Sequence, residues 1–208
     1  MPYDRRPSKL RSLLVTVSLA KLLAGRGIGP NLISLTGLCC AVGGFISLWG
    51  AARGWPGGWF FVLIAAVLVL VRLLCNVLDG LLAIEFDRRE KAGDIYNEIP
   101  DRLADTLFLV GAGYLAGSLA LGWIAAVLAV FTAYVRTFGA SLGQSQDYGG
   151  PCAKPQRMVI LTVGLMATVM AHFAKATVNV PEITLWVIVV GTAITALLRL
   201  QRLHRALP

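Results

Sequence analysis

Eight of the eleven acidic residues in this 208-residue chain lie in one stretch, residues 76 to 105, which reads NVLDGLLAIEFDRREKAGDIYNEIPDRLAD. Four positions at its start, Asn76, Asp79, Gly80 and Ala83, are spaced i, i+3, i+4 and i+7. That spacing places them on one face of an α-helix. Gly80 has no side chain, so it leaves room beside the carboxylate of Asp79 for a bulky ligand to approach the backbone.

A second row of polar positions follows in the same stretch. Gly93, Asn97, Asp101 and Asp105 recur every four residues, again along one helix face, and Gly93 again leaves space. Carboxylate and amide oxygens are the ligands that Mg²⁺ and Mn²⁺ prefer. A divalent cation held by carboxylates typically holds phosphate oxygens in turn. The two rows therefore predict a metal-dependent site for a phosphate-containing ligand.

The elements that position these residues are predicted to cross a membrane. The chain is 57% hydrophobic and only 14% charged, and several apolar segments approach the roughly 20 residues that a spanning helix needs. We expect one all-α membrane domain over residues 1–208, with a cytoplasmic arm and an interfacial amphipathic helix over 1–28 and a six-helix bundle over 31–200. The predicted spans are 31–50, 59–84, 94–117, 120–143, 156–174 and 183–200.

The net charge of +8 is distributed as a topology signal and not as a nucleic-acid surface. Excess Lys and Arg mark the cytoplasmic face, where they also attract anionic lipid headgroups. Fourteen of the nineteen basic residues are assigned to one side, and only Arg53 and Lys175 to the other. Both termini are therefore expected in the cytoplasm. The fourteen are Arg5, Arg6, Lys9, Arg11, Lys21, Arg26, Arg88, Arg89, Lys91, Lys154, Arg157, Arg199, Arg202 and Arg205.

The first 25 residues have a basic start and a short apolar stretch, which also fits a signal peptide. Lys21 interrupts the apolar stretch, and no small-residue cleavage site follows it. An interfacial helix on the cytoplasmic surface is the favoured interpretation.

Burial separates functional acids from structural ones. An ionisable group inside a membrane span costs at least about 2.5–3.5 kcal/mol on insertion scales, so such groups are rarely idle. Asp79, Asp101 and Asp105 are predicted to be functional for this reason. Glu98 and Arg102 are spaced i, i+4 with the acid first, which predicts a helical ion pair.

The acidic stretch resembles the signature of the CDP-alcohol phosphatidyltransferases, D-x2-D-G-x2-A-R, eight residues, then G-x3-D-x3-D. The positions that match at the right counts are Asp79, Gly80, Ala83, Gly93 and Asp101. The positions that depart are Asn76 for the first Asp, Ile84 for the Arg and Asn97 for the third Asp. The two Asn residues can still offer a carbonyl oxygen, but the site loses two negative charges.

Further matches extend this resemblance over essentially the whole chain. Pro30 and Asn31 in GIGPNLISLTG resemble the family's entry to its first span, and Arg136 in AYVRTFG resembles an intramembrane Arg. Lys154 and Arg157 in GGPCAKPQRM resemble a loop whose basic residues face phosphate groups. The resemblance thus implies that Arg136, Lys154 and Arg157 bind phosphate, with Lys154 and Arg157 as plain topology charges the alternative.

The D-x3-D pair that ends the family signature can be aligned with this sequence in two registers. In the counted register Asn97 and Asp101 act and Asp105 is a bystander. In the shifted register, in which PDRLAD supplies the D-x3-D, Asp101 and Asp105 act. Pro100 removes a backbone donor and predicts that the helix kinks or begins there, which favours the shifted register.

The resemblance implies an integral membrane enzyme, with a cytoplasmic active site, that transfers a phosphatidyl group from CDP-diacylglycerol to an alcohol and releases CMP. It also implies Mg²⁺ or Mn²⁺ as cofactor, contact with membrane lipids and a homodimer, with no nucleic-acid partner. The implied catalytic residues are Asp105 and Asp101. The implied metal ligands are Asp79, Asp101, Asn76, Asp105 and Asn97. The implied nucleotide-binding positions are Gly80, Ala83 and Gly93.

Two other functions remain open at this point. A non-catalytic lipid- or nucleotide-binding relative of the family would explain the missing carboxylates directly. An ion-coupled transporter would explain intramembrane acids, but it predicts inverted repeats and polar groups near the membrane midplane, and the sequence has neither.

Overall fold

A computed structural model of the protein describes residues 14–85 and 93–207, and all of its secondary structure in those ranges is α-helical. The predicted all-α class is therefore confirmed. The helices are α1 Leu14–Gly25, α2 Pro30–Ala52, α3 Gly58–Glu85, α4 Gly93–Leu115, α5 Leu119–Ser141, α6 Lys154–Phe173 and α7 Val180–Ala206.

Five helices within the described ranges, α2, α3, α5, α6 and α7, are long and apolar enough to cross a membrane. Helix α4 has 23 residues, which at 1.5 Å per residue gives about 34 Å and exceeds the roughly 30 Å hydrocarbon thickness of a bilayer. Acidic residues in its first half lower its hydropathy. The architecture is compatible with six spans, and the count of six stays a prediction.

Helix α1 packs on the end of α3 that carries the acidic stretch. Ala20 and Ala24 are buried in a small apolar cluster with Leu78, Leu81 and Leu82 of α3. The predicted interfacial position of this helix stays a prediction, and residues 1–13 of the arm lie outside the described residues.

Small residues allow the spanning helices to approach closely. A Cβ atom added to Gly113 of α4 would lie 2.8 Å from the Cα of Gly122 in α5, so these two backbones are in contact. Gly44 of α2 receives the ring of Phe108 in the same way, since a Cβ there would lie 2.3 Å from a ring carbon. Membrane helices use such positions because van der Waals packing, and not exclusion from water, holds them together.

Successive spans alternate in direction, so the first turns of α2, α4 and α6 meet the last turns of α3, α5 and α7. Short connections make this possible. Between α4 and α5, for example, Gly117 adopts a φ of +71° and the Ser118 amide donates to the Gly113 carbonyl at 3.0 Å, which closes the helix end. The predicted site residues of α3, α5 and α6 therefore lie toward the same end of the bundle, with Asn97 and Asp101 in the first half of α4 and Asp105 at its middle.

Two basic residues that we assigned to cytoplasmic connections are buried inside helices instead. Arg157 is in the first turn of α6 and 1% exposed, and Arg199 is in α7 and 6% exposed. The placement in a connection was wrong because α6 already begins at Lys154 and α7 continues to Ala206, so both side chains turn into the bundle, and the side of the membrane to which they were assigned stays a prediction. The charge asymmetry survives their removal, with twelve basic residues against two.

Helix α4 runs through Pro100 without interruption. Of the two predicted alternatives, a helix start at this proline is therefore wrong, because the helix is already formed at Gly93 and loses only one backbone donor at Pro100, and a kink there stays a prediction. Asn97, Asp101 and Asp105 consequently follow one another at single-turn spacing along one continuous helix.

Candidate active site

The carboxylate of Asp79 lies near the end of α3, where it contacts the start of α2. The Ser34 hydroxyl donates a hydrogen bond to Asp79 Oδ2 at 2.7 Å, and both residues are buried. Ser34 follows Pro30, the first residue of α2, by one turn. Proline at a helix start fixes where the helix begins, and so fixes which turn faces Asp79.

Asp101 of α4 is held by two basic side chains from neighbouring helices. Arg72 of α3 donates to Asp101 Oδ1, and Lys154, the first residue of α6, donates to Asp101 Oδ2. Arg72 is 3% exposed and also interacts electrostatically with Asp79 and Asp105. These contacts join α3, α4 and α6 at one point.

Asn76 completes this arrangement one turn from Arg72 along α3. With the Asn76 side-chain amide assigned the orientation that suits its neighbours, its nitrogen donates to Asp101 Oδ1 at 3.3 Å and its oxygen accepts from Lys154 Nζ at 3.2 Å. The Lys154 ammonium thus bridges Asn76 and Asp101. Asn76 of the first predicted row and Asp101 of the second are therefore in contact, and the facing of the two rows over their whole length stays a prediction.

Asp105 lies one helical turn further along α4, in a deeper ion pair. Arg157 of α6 donates to Asp105 Oδ2 at 3.0 Å, and the two side chains are 1% and 2% exposed. Within the part of the chain that the structure describes, Asp105 Oδ1 and two nitrogens of Arg157, Nε and Nη1, have no hydrogen-bond partner. Such buried, unsatisfied atoms are costly unless a ligand or water meets them.

We call this set the charged cluster. It consists of Arg72, Asn76, Asp79, Asp101, Asp105, Lys154 and Arg157. Arg157, predicted to bind phosphate, lies against Asp105, and the phosphate-binding role of Lys154 and Arg157 stays a prediction.

A second ionic network lies beside the charged cluster. Glu98 accepts from Arg102, which confirms the predicted i, i+4 pair, and it also accepts from Arg136 Nη2 of α5 at 2.7 Å. Arg136 additionally donates to Gln146, and its guanidinium lies 5.2 Å from the ring centroid of Tyr148. Arg136 is therefore positioned by an acid, an amide and an aromatic ring together.

A cavity of about 290 Å³ opens next to this network, between the ends of α5 and α7. Arg199 donates to the backbone carbonyls of Gly149 and Thr132, and Arg202 pairs with Asp147. The polar residues that line the cavity include Arg136, Gln146, Asp147, Arg199 and Arg202. With three guanidinium groups and one carboxylate among these residues, the cavity is suited to an anionic ligand.

For the remaining predicted site residues, the structure gives the helix in which they lie and, for some, their burial. Gly80 is buried and Ala83 half-buried, just beyond Asp79 in α3, and Asn97 is half-buried in α4. Gly93 is the first residue of α4. Residues 86–92 lie outside the described ranges, as does the side chain of Ile84. The nucleotide-binding role of Gly80, Ala83 and Gly93 stays a prediction.

Sequence reasoning missed Arg72 and Ser34 as site residues. Arg72 is four residues before Asn76, on the same helix face, and an Arg inside an apolar run signals a buried acidic partner. Ser34 gave no signal of its own, because a serine in a membrane helix commonly bonds to its own backbone.

The oxygen ligands of the charged cluster fit a divalent cation by their chemistry. Two carboxylates, Asp79 and Asp101, and the amide of Asn76 are the ligand types that Mg²⁺ and Mn²⁺ take. No three His, Cys, Asp or Glu side chains gather as a cation site within residues 14–85 and 93–207. The Lys154 ammonium instead contacts Asp101 and Asn76, so a cation already sits on the oxygens that a metal would use.

Buried carboxylates and basic side chains at one end of a membrane-spanning helix bundle are what the phosphatidyltransferase resemblance predicts. No family model matches the chain. The chain is, however, similar to a known enzyme. It is 27% identical over 193 residues to the phosphatidylinositol phosphate synthase of Mycolicibacterium smegmatis, and the match covers 89% of this chain and 81% of the relative.

Solved structures show the same fold. The phosphatidylinositol phosphate synthase of Mycobacterium tuberculosis with CDP-DAG bound superposes with a TM-score of 0.74 at 21% identity, covering 92% of this chain and 94% of that one. The same enzyme in complex with manganese and citrate gives 0.74 at 20% identity, covering 91% and 88%. The predicted resemblance to the CDP-alcohol phosphatidyltransferases is confirmed.

The Asp105–Arg157 pair generates a stability prediction. Arg157→Met should leave the Asp105 carboxylate buried without a cation, at a cost of about 3–5 kcal/mol. The double variant Arg157→Met, Asp105→Leu should recover most of this, because an apolar pair of similar volume replaces the ion pair. Thermal unfolding of the purified proteins in detergent would measure both.

Arg202→Met is the matched control, since Arg202 pairs with Asp147 at an exposed site where an ion pair contributes little. Equal melting temperatures for Arg157→Met and Arg202→Met would contradict the account of the buried pair.

Proposed function

We propose that this protein transfers the phosphatidyl group of CDP-diacylglycerol to an alcohol and releases CMP. The observation that carries the proposal is the charged cluster, in which carboxylates and basic side chains from α3, α4 and α6 meet, with the Ser34 hydroxyl of α2 bonded to Asp79. Carboxylates serve to accept a proton or to hold a metal, and basic groups serve to bind a diphosphate. Phosphoryl transfer needs both.

The reaction forms one bond and breaks one. The alcohol oxygen attacks the phosphorus that carries diacylglycerol, the bond from that phosphorus to the CMP oxygen breaks, and CMP leaves with the electron pair. The alcohol proton passes to a carboxylate. Asp105 Oδ1 is suited to accept it, because it is a buried carboxylate oxygen without a partner among the described residues.

Bound Mg²⁺ or Mn²⁺ would neutralise the diphosphate and stabilise the charge that develops on the leaving oxygen. Asp79, Asp101 and Asn76 are the residues that would hold the ion. Arg72 and Lys154 orient Asp101 from two sides, and Ser34 orients Asp79. Asp79, Asp101 and Asp105 are buried, which limits the access of water that would otherwise compete with the alcohol as nucleophile.

The acceptor is proposed to be an alcohol that carries a phosphate group of its own. The cavity between α5 and α7 supports this, since Arg136, Arg199 and Arg202 line it and guanidinium groups bind phosphate with paired hydrogen bonds. The similar enzymes are named for making phosphatidylinositol phosphate, a product with a phosphate on its headgroup.

The protein is an integral membrane protein, and we propose that the active site and both termini face the cytoplasm. The excess of basic residues at the end of the bundle that carries the charged cluster supports this orientation. The homodimer that the resemblance implies stays a prediction.

A direct test is CMP release by the purified full-length protein with CDP-diacylglycerol, Mn²⁺ and pairs of alcohols that differ only in one phosphate, such as inositol and inositol phosphate. We expect release with the phosphorylated member to be at least about tenfold faster, because its phosphate adds charge-assisted hydrogen bonds. Faster release with the unphosphorylated alcohol would contradict the proposed acceptor class. No release with any acceptor would favour the non-catalytic alternative.

The two registers of the acid pair are separated by two substitutions. Asp105→Asn keeps the size of the side chain, and CMP release should fall at least about a hundredfold if Asp105 accepts the proton. Asn97→Ala should cost little in that case. A silent Asp105→Asn together with an inactive Asn97→Ala would establish the counted register, in which Asn97 and Asp101 act.

The orientation is tested by tags at residues 1 and 208. Both tags should remain inaccessible to an impermeant label in intact cells and become accessible after lysis, because basic loops are retained in the cytoplasm. Labelling of either tag from outside intact cells would contradict the proposed topology.

A further inference from the structure

The formal charges of the charged cluster cancel without a metal ion. Asp79, Asp101 and Asp105 contribute three negative charges, while Arg72, Lys154 and Arg157 contribute three positive ones. A divalent cation entering alone would leave two uncompensated positive charges in a buried, low-dielectric region. Burying unpaired charge is strongly unfavourable. The balance therefore opposes binding of a metal by itself.

The position of Lys154 adds a direct competition. Its ammonium contacts Asp101 Oδ2 and, at 3.2 Å, the amide oxygen of Asn76. These are two of the oxygens that a divalent cation would take. Asn76 is neutral and adds no electrostatic attraction for a metal ion. Lys154 and the metal therefore compete for the one negatively charged group at this position, the carboxylate of Asp101.

The substrate removes both obstacles. An anionic diphosphate that arrives together with the cation restores the charge balance of the cluster. It also offers the ammonium another anionic partner. Lysine has a flexible four-carbon stem and three rotatable donors, so Lys154 can move from Asp101 to a phosphate oxygen without losing its ion pair. The side chain of Lys154 is 15% exposed and that of Arg72 is 4% exposed, so Lys154 has more space in which to turn.

We propose that Lys154 is an internal counter-ion of Asp101 that makes metal binding conditional on the diphosphate of the substrate. Metal and diphosphate enter as a pair, and each raises the affinity of the protein for the other by the same factor. This inference rests on the proposed function, because it takes CDP-diacylglycerol as the source of the diphosphate.

The test measures Mn²⁺ binding to the full-length protein in detergent by isothermal titration calorimetry, with and without saturating CDP-diacylglycerol. In the unaltered protein we expect Mn²⁺ affinity to rise at least tenfold when CDP-diacylglycerol is present. In Lys154→Gln, Mn²⁺ alone should bind at least tenfold more tightly than to the unaltered protein, because Asp101 has lost its competing cation.

Two further variants complete the experiment. Lys175→Gln makes the same change on an exposed residue at the opposite end of the bundle and should leave Mn²⁺ binding unaltered. Asn76→Asp keeps Lys154 and adds a carboxylate, so it too should raise the affinity for Mn²⁺ alone. Thermal unfolding establishes that each variant is folded, and Asn76→Asp carries the test if Lys154→Gln does not fold.

Equal Mn²⁺ affinity with and without CDP-diacylglycerol in unaltered protein that is shown to bind CDP-diacylglycerol would overturn the inference. So would unchanged affinity for Mn²⁺ alone in a folded Lys154→Gln variant. Failure of the proposed function gives a different result: CDP-diacylglycerol neither binds nor yields CMP, while the two variants still bind Mn²⁺ alone more tightly than the unaltered protein.

Discussion

The constraint on which the rest of the structure depends is the cost of burying a carboxylate in a membrane-spanning bundle. Each carboxylate of the charged cluster is stabilised by a partner on another helix. Asp79 accepts a hydrogen bond from Ser34 of α2. Asp101 pairs with basic side chains of α3 and α6, and Asp105 pairs with one of α6. These partners can only be reached when the helices are assembled. Formation of the site and assembly of this end of the bundle are therefore the same event.

Much of the fold follows from the sequence, because apolar length and helical period are local properties. The predicted spans agree with α2 to α7 within a few residues at most ends, and Asn76 of the first predicted row contacts Asp101 of the second. Of the two alternatives at Pro100, a helix start was wrong, since one missing backbone donor does not outweigh the packing of an entire span, and a kink stays a prediction.

The partners of the acids were the part that sequence reasoning could not supply. Arg157 was predicted to face phosphate, yet it pairs with Asp105, and Arg72 and Ser34 were not assigned to the site. Which cation meets which acid depends on how neighbouring helices are rotated against each other. That rotation is set by close contacts such as Gly113 with Gly122, and these do not follow from the period of one helix.

The Asn at position 76 of the signature affects the charge balance of the charged cluster. With Asn76 neutral, the formal charges of the three carboxylates and the three basic groups cancel without a metal. A carboxylate at this position would add a negative charge that these three basic groups do not balance. Asn76 and Asp101 nevertheless bring oxygen atoms of α3 and α4 together.

The most direct measurement of this account is an experimental structure of the protein with Mn²⁺ and CDP-diacylglycerol bound. The account predicts that the Lys154 ammonium leaves Asp101 for a phosphate oxygen, and that Asp101 and Asp79 contact the metal on the face between α3 and α4. A structure in which Mn²⁺ and the diphosphate are bound while Lys154 still pairs with Asp101, with the metal held elsewhere, would contradict it.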